Sequence, residues 1–258
     1  MPKPISGLAL ALVWLTRLPV GGLLPANPPT LSQVAWAFPL VGLILGAAAG
    51  AVLGLAHWLG LGAAISALLA IATLVWLTGG LHEDGLADLA DGMGGRTTER
   101  RLEIMRDSRI GSYGALTLGL VTALRVCSVA ALPIGAAVAA LIVAGGASRA
   151  AMVIAMRQLP PARPDGLGKS AGRPSLAGAA LAVALALGLA GLVLLIDARQ
   201  GAWALVLAAA LGAAVQIYIQ NLARKRLGGL TGDVLGAVQQ GTECAFLVAF
   251  AAAFAEKL

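Results

Sequence analysis

Seven stretches of this chain stay apolar for about 20 residues or more, the length an α-helix needs to cross the hydrocarbon of a bilayer. They cover approximately 35–57, 61–80, 112–131, 133–156, 175–196, 202–222 and 234–255. Nothing else in the sequence constrains the fold as tightly, because a membrane admits only structures that satisfy their backbone hydrogen bonds internally. The runs are continuous and do not alternate with period two, which argues against a β-barrel. Composition agrees: 59% of the 258 residues are hydrophobic and 12% charged, too little polar surface for a water-soluble domain of this size. The same figures exclude a disordered chain, and two cysteines exclude a disulfide scaffold. The expected fold is all-α, a polytopic integral membrane helical bundle of about seven transmembrane helices, built as one membrane domain over residues 1–258. A further apolar stretch, residues 5–15, is short for a span and is followed by Arg17, Pro19, Gly21 and Gly22. It reads as an N-terminal interfacial helix.

Seven spans leave alternating loops, and the basic residues separate between them. One side collects 14 of the 18 lysines and arginines: Lys3 and Arg17, then five arginines between 96 and 109, then Arg157, Arg163, Lys169 and Arg173, then Arg224, Lys225 and Arg226. The other side has Arg199 and Lys257, while Arg125 and Arg149 fall inside spans. By the positive-inside rule the amino terminus and the 81–111 loop are cytoplasmic, in a cytoplasmic (inner) membrane. The basic excess thus reads as a topology signal in a lipid bilayer, and no nucleic-acid partner is expected. The connections on the far side, near 57–61, 132–133 and 197–201, are short and imply tight hairpins. Gly42, Gly46, Gly50 and Gly54 recur every four residues and form a smooth stripe for close helix packing.

The 81–111 loop is unlike its surroundings, holding seven of the 12 acidic and five of the 18 basic residues. If the helix of the second span continues past Gly80, Asp84, Asp88 and Asp91 stand at i, i+4 and i+7, within a stripe roughly 60° wide. Three like charges on one face repel, and a hard cation reverses that sign. Oxygen-only ligands suit Mg²⁺, which takes one or two carboxylates together with waters and substrate phosphates. The bland alternative is a solvated acidic helix end. His82 lacks the second histidine four residues on that a zinc-binding helix of this kind needs. After Gly94-Gly95 a short helix is expected, with Thr97 as N-cap. Asp107 could complete a metal site; Arg109 could grip phosphate in a fork or merely anchor the interface.

Two other loops on the same side carry weaker signals. Arg163-Pro164-Asp165-Gly166-Leu167-Gly168-Lys169 is a glycine-rich turn without P-loop spacing. Gly228-Gly229-Leu230-Thr231-Gly232-Asp233 opens the last span, where Asp233 is either a helix cap or a further ligand. Arg125, Arg149 and Glu243, costly at membrane depth, must face protein or water and either pair with one another or line a substrate cavity.

These motifs resemble the cobalamin synthase family. The residues that carry the resemblance are Gly79-Gly80-Leu81-His82, Asp84-Gly85-Leu86-Ala87-Asp88, Asp91-Gly92 and Glu103-Ile104-Met105-Arg106-Asp107-Ser108-Arg109-Ile110-Gly111. Thr16-Arg17-Leu18-Pro19, Phe38-Pro39-Leu40-Val41-Gly42 and the run from Gly228 to Ala237 extend it over nearly the whole chain. One departure is Gln240, where an acid is frequent in that family.

The resemblance implies a Mg²⁺-dependent membrane transferase of cobalamin biosynthesis acting on adenosylcobinamide-GDP. The 5′-hydroxyl of α-ribazole, or of its 5′-phosphate, would attack the phosphorus attached to cobinamide. GMP would leave, and adenosylcobalamin or its 5′-phosphate would form. Asp84, Asp88 and Asp91 are then the catalytic carboxylates and, with Asp107, the metal ligands, Asp91 binding metal or acting as general base. Arg96, Arg106 and Arg109 would hold phosphates, while Asp233 and Glu243 would contact substrate. A homo-oligomer is left open. Two readings compete: a phospholipid enzyme of the CDP-alcohol phosphotransferase type and a membrane transporter. The first is weakened because Asp88 follows Gly85-Leu86-Ala87 where that family has arginine. The second is weakened because the dense carboxylates lie in a loop and no internal repeat is visible.

Overall fold

The protein is described by a computed structural model covering residues 4–194 and 198–254. Lys3, Asp197 and Lys257, which the sequence assigns to one or other side of the membrane, lie outside the described residues. All elements among the described residues are helical. Besides two 3₁₀ turns, Gly21–Leu23 and Ala35–Ala37, they are in chain order α1 (Pro4–Leu15), α2 (Leu31–Val34), α3 (Phe38–Trp58), α4 (Ala63–Thr78), α5 (Leu81–Gly92), α6 (Thr98–Ile104), α7 (Ser112–Ala130), α8 (Ile134–Gln158), α9 (Leu167–Ser170), α10 (Leu176–Leu194), α11 (Ala198–Arg226) and α12 (Gly232–Phe254).

Among the described residues five helical segments are long and apolar enough to cross a membrane, Leu31–Trp58 and the helices α7, α8, α11 and α12. The count rises to six if the bent pair α4–α5 is taken as one span, against the about seven read from the sequence. The stretch at 61–80 fails because Gly79 and Gly80 adopt φ of +69° and +73°, a left-handed pair that ends α4 after 16 residues. It reaches spanning length only together with α5, which turns away by 89°. The stretch at 175–196 forms α10, Leu176–Leu194, an apolar helix with no charged residue along its described length.

α8 and α12 form the centre of the bundle, with 78% and 72% of their apolar windows buried in protein, against 22% for α7 and α11. The peripheral helices present apolar side chains outward. On α7, Leu116, Leu120 and Leu124 stand one turn apart and are 64%, 66% and 50% exposed. Such a leucine stripe has no place in water and is at home against lipid. The glycine stripe of α3 does what its spacing predicts over three of its four members. A Cβ at Gly42 would strike the backbone at Gly145 and Gly146, one at Gly46 would sit 2.6 Å from Ile142 Cα, and one at Gly50 would press Val138; Gly54 faces open space. α3 and α8 therefore pack backbone to backbone, where dispersion contacts are densest. The N-terminal helix α1 buries Gly7, Leu10, Leu12 and Leu15 and packs on α2 and α3.

Candidate active site

The break at Gly79-Gly80 decides where the acidic helix goes. A straight continuation would carry Asp84, Asp88 and Asp91 away from the bundle; the bend lays α5 across α12 instead. The crossing is closed by two glycines. A Cβ on Gly85 would lie 2.9 Å from Asp233 Cα, and one on Gly236 would lie 2.9 Å from the His82 carbonyl oxygen. With no side chains between the helices, Asp233 in the first turn of α12 comes into the field of the α5 acids. Asp88 registers the result. Partial burial, then the nearby charges of Asp84, Asp233 and Asp91, push its carboxyl up to about 7. Carboxylates crowded this way take up either a proton or a cation.

Two loops complete the site, and one backbone contact joins them. Leu230 N donates to the Pro160 carbonyl at 2.7 Å and Ala162 N to the Leu230 carbonyl at 3.0 Å. This clamp sets the turn after α8 beside the start of α12. Thr231 caps α12 by accepting from Val234 N at 3.2 Å, so Asp233 is free of the capping role that the sequence left open for it. A cavity of about 310 Å³ opens here, and its wall includes Asp84, Asp233, Arg163 and Asp165. Arg106 reaches the same rim: its Nη2 donates to both Asp165 carboxylate oxygens at 2.9 Å. Arg163, which also donates to the Leu102 carbonyl at 3.1 Å, and Asp165 are residues that motif reading did not place in the site. Their signal was present in the turn Arg163-Pro164-Asp165-Gly166, but nothing in the turn says what it folds against.

The remaining candidates lie elsewhere. Both carboxylate oxygens of Asp91 accept backbone N–H groups at the start of α7, from Gly111 at 2.7 Å and Gly114 at 2.9 Å. A Cβ at either glycine would strike that carboxylate. Asp91 thus holds the entry to α7, where its charge also meets the positive end of the helix dipole. Asp91→Ala is expected to lower stability by about 1–2 kcal/mol, measured by thermal unfolding in detergent; an unchanged midpoint would remove the capping role. Asp107 and Arg109 pair with each other on the surface, Arg109 Nη2 to Asp107 Oδ2 at 2.7 Å. Hydrogen bonds from the Arg109 side chain and backbone hold the Asp107 carboxyl down at about 2. The pair shares a separate concavity with Asp91, Arg100 and Glu103. Arg96 is exposed, and Thr97 caps α6 as its position predicts, accepting from Arg100 N at 3.2 Å.

Glu243 sits inside the bundle and bridges both buried arginines, with Arg125 Nη2 at 2.6 Å and Arg149 Nη1 at 3.3 Å, while Gln239 Nε2 adds a third contact at 2.6 Å. That engagement is the pairing that the sequence offered as one of two readings for these three residues. The network continues to the site through Glu83, whose Oε1 accepts from Arg125 at 3.0 Å and from Gln240 at 2.9 Å. Gln240 also accepts from Arg125 at 2.9 Å, so an amide serves where an acid was expected. Glu83 precedes Asp84 in α5, which ties the acidic helix to the core.

Among the described residues no group of three or more His, Cys, Asp or Glu converges as a ready-made metal cage. The oxygen donors that gather are the carboxylates of Asp84 and Asp233, with the buried His82 imidazole in the same wall; carboxylates suit a hard divalent cation that also draws on substrate phosphates. Fold and site together define a polytopic helical membrane protein that assembles carboxylates and arginines from distant loops around one cavity. A family model described as Cobalamin-5-phosphate synthase matches residues 7–251, and the chain belongs to that family. It is similar to adenosylcobinamide-GDP ribazoletransferases of Bradyrhizobium diazoefficiens (44% identical over 250 residues, 96% of this chain and 94% of the relative) and Azorhizobium caulinodans (45% over 256 residues, 95% and 94%). The relative from Allorhizobium ampelinum, of the same name, is 40% identical over 255 residues, 96% of this chain and 97% of its own. No solved structure matches the chain. The protein is an enzyme, a transferase of cobalamin biosynthesis.

Proposed function

We propose that the protein joins adenosylcobinamide-GDP to α-ribazole or its 5′-phosphate, giving adenosylcobalamin or its 5′-phosphate and GMP, with Mg²⁺ as cofactor. The observation that carries this is the convergence of Asp84 and Asp233 with Arg163 and Asp165 on one cavity, with Asp88 crowded beside them. A pyrophosphate substrate needs such a mixture of carboxylates and guanidinium groups. The family description names cobalamin-5-phosphate, which moves the attacking oxygen off O5′: a phosphate carried through intact occupies that position. Another ribose hydroxyl therefore attacks the phosphorus attached to cobinamide. The new P–O bond forms as the bond to the bridging oxygen breaks, and GMP takes that oxygen away.

Asp84 and Asp88 would hold Mg²⁺, which when bound neutralises pyrophosphate charge and sharpens the phosphorus as an electrophile. Arg163 holds a phosphate at the cavity wall, and Arg106, steadied by Asp165, does so at the rim. Asp233 on the facing helix receives the hydroxyl proton. The site-bearing loops are those with the basic excess, which supports a site and an amino terminus on the cytoplasmic side of an inner membrane. Purified protein in lipid nanodiscs, given adenosylcobinamide-GDP, α-ribazole and Mg²⁺, is expected to release GMP, and chelation with EDTA to stop it. No GMP, or release of CMP from CDP-diacylglycerol and an alcohol instead, would overturn the reading.

A further inference from the structure

We propose that the cavity beside Asp84 and Asp233 is the seat of the acceptor's base, a flat, apolar, two-ring heterocycle, and so sets which nucleoside is used. This rests on the proposed reaction and names where one substrate lies within it. Away from its charged residues the cavity is walled by Phe38, Met105, Met152 and Leu235, all buried, with half-exposed Trp14 from α1 also in the wall. Residues of α1, α2, α3, α5, α8, α9 and α12 and of the loops at 163–166 and 230–231 meet there, so the space is part of the packing and not a surface dent. Its volume, about 310 Å³, is at the small end of ligand pockets.

Three pieces of substrate compete for it. The corrin macrocycle, fringed with amides, is too large for such a space. Guanine is flat, but its edge carries donors and acceptors that could pair only on the cavity's polar side, with Asp165 or Arg163; against the wall of Phe38, Met105, Met152 and Leu235 they would stay unpaired, and unpaired polar groups are expensive to bury. The dimethylated benzimidazole of α-ribazole, joined to ribose, has no N–H and a single ring nitrogen to solvate. Aromatic and thioether side chains are good partners for such a ring, since they contact its face and edge without needing hydrogen bonds. Geometry adds a second argument. Asp84 and Asp233 line the same cavity, so a base bound against the apolar wall delivers its ribose hydroxyls to the carboxylates. Trp14 and Asp84 also share the neighbouring concavity that includes Arg17 and Gly80, which leaves an open side through which the nucleoside enters.

The test uses the full-length protein in nanodiscs and separates the two substrates. Met152→Phe narrows the space; it should raise KM for α-ribazole at least tenfold and leave KM for adenosylcobinamide-GDP within twofold. Met152→Ala, which enlarges it, should shift preference toward a nucleoside with a bulkier naphthimidazole base and keeps the test open should the phenylalanine variant fail to fold. Calorimetric titration of wild-type protein with α-ribazole alone should show binding that Met152→Phe weakens by a similar factor. A rise in KM for adenosylcobinamide-GDP instead, or unchanged constants in both variants, would overturn the assignment. Wild-type protein that binds α-ribazole but releases no GMP would refute the reaction while leaving the pocket in place, so the two failures are distinguishable.

Discussion

Asp84→Asn should lower GMP formation by roughly 10²–10³-fold, the loss typical when one preorganised electrostatic partner of a transition state is removed. It should do so without unfolding the protein. Asp84 is exposed at the cavity mouth, and an isosteric amide relieves repulsion with Asp88, so the thermal midpoint should hold or rise slightly without cation. Asp88→Asn should be nearly as damaging and adds a pH signature. Partial burial and the neighbouring carboxylates push the Asp88 carboxyl up to about 7, so a Mg²⁺ ion held there as proposed would displace a proton below that pH. Mg²⁺ affinity is therefore expected to strengthen as pH rises through 7, with proton uptake by the buffer, and this dependence should vanish in Asp88→Asn. For folding the sign is opposite. The native state keeps a proton up to about pH 7 that the unfolded chain releases near 3.8, so without cation stability falls as pH rises between those values. Calorimetry in buffers of different ionisation enthalpy reads the proton count directly. Wild-type turnover in Asp84→Asn, or pH-independent Mg²⁺ affinity in the native protein, would remove these two aspartates from the centre of the reaction.

What the sequence reveals of this site follows from which interactions are local. The i, i+4, i+7 spacing of Asp84, Asp88 and Asp91 and the Thr97 cap depend on neighbours within two turns, and both are read correctly from spacing alone. The direction of α5 depends on two left-handed residues, Gly79 and Gly80, and spacing does not say whether a glycine pair is a bend or a tolerated interruption. From that bend follows the rest of the arrangement: Gly85 meets Gly236, and Asp233 arrives beside acids some 150 positions earlier in the chain. Arg163 and Asp165 escape motif reading because their turn acquires its meaning only from the Pro160–Leu230–Ala162 clamp. Asp91 shows the converse. Its spacing groups it with Asp84 and Asp88, but the backbone amides of Gly111 and Gly114 claim both its oxygens, a competition invisible without tertiary structure.

Glu243→Gln should be the most destabilising single change in the protein. Arg125 and Arg149 are 1% and 2% exposed, and Glu243 is the carboxylate that touches both. Removing its charge leaves an uncompensated cation at membrane depth, a loss of about 3–5 kcal/mol by analogy with buried ion pairs broken from one side. For a chain of this length the melting temperature in detergent should fall by on the order of 10 °C. The arithmetic of charge gives a sharper test. Arg125, Arg149, Glu83 and Glu243 form a neutral quartet, so Arg149→Met added to Glu243→Gln restores neutrality and leaves the Arg125–Glu83 pair intact. The double variant should recover a large part of the lost stability, a coupling that additive, independent sites would not show. Activity should follow the same order. Glu83 precedes Asp84 in α5 and is held by Arg125 and Gln240, so a disturbed network slackens the helix that presents Asp84 and Asp88. A single variant as stable as wild type, or a double variant no better than the single, would mean that the quartet is not what fixes α5 to the core.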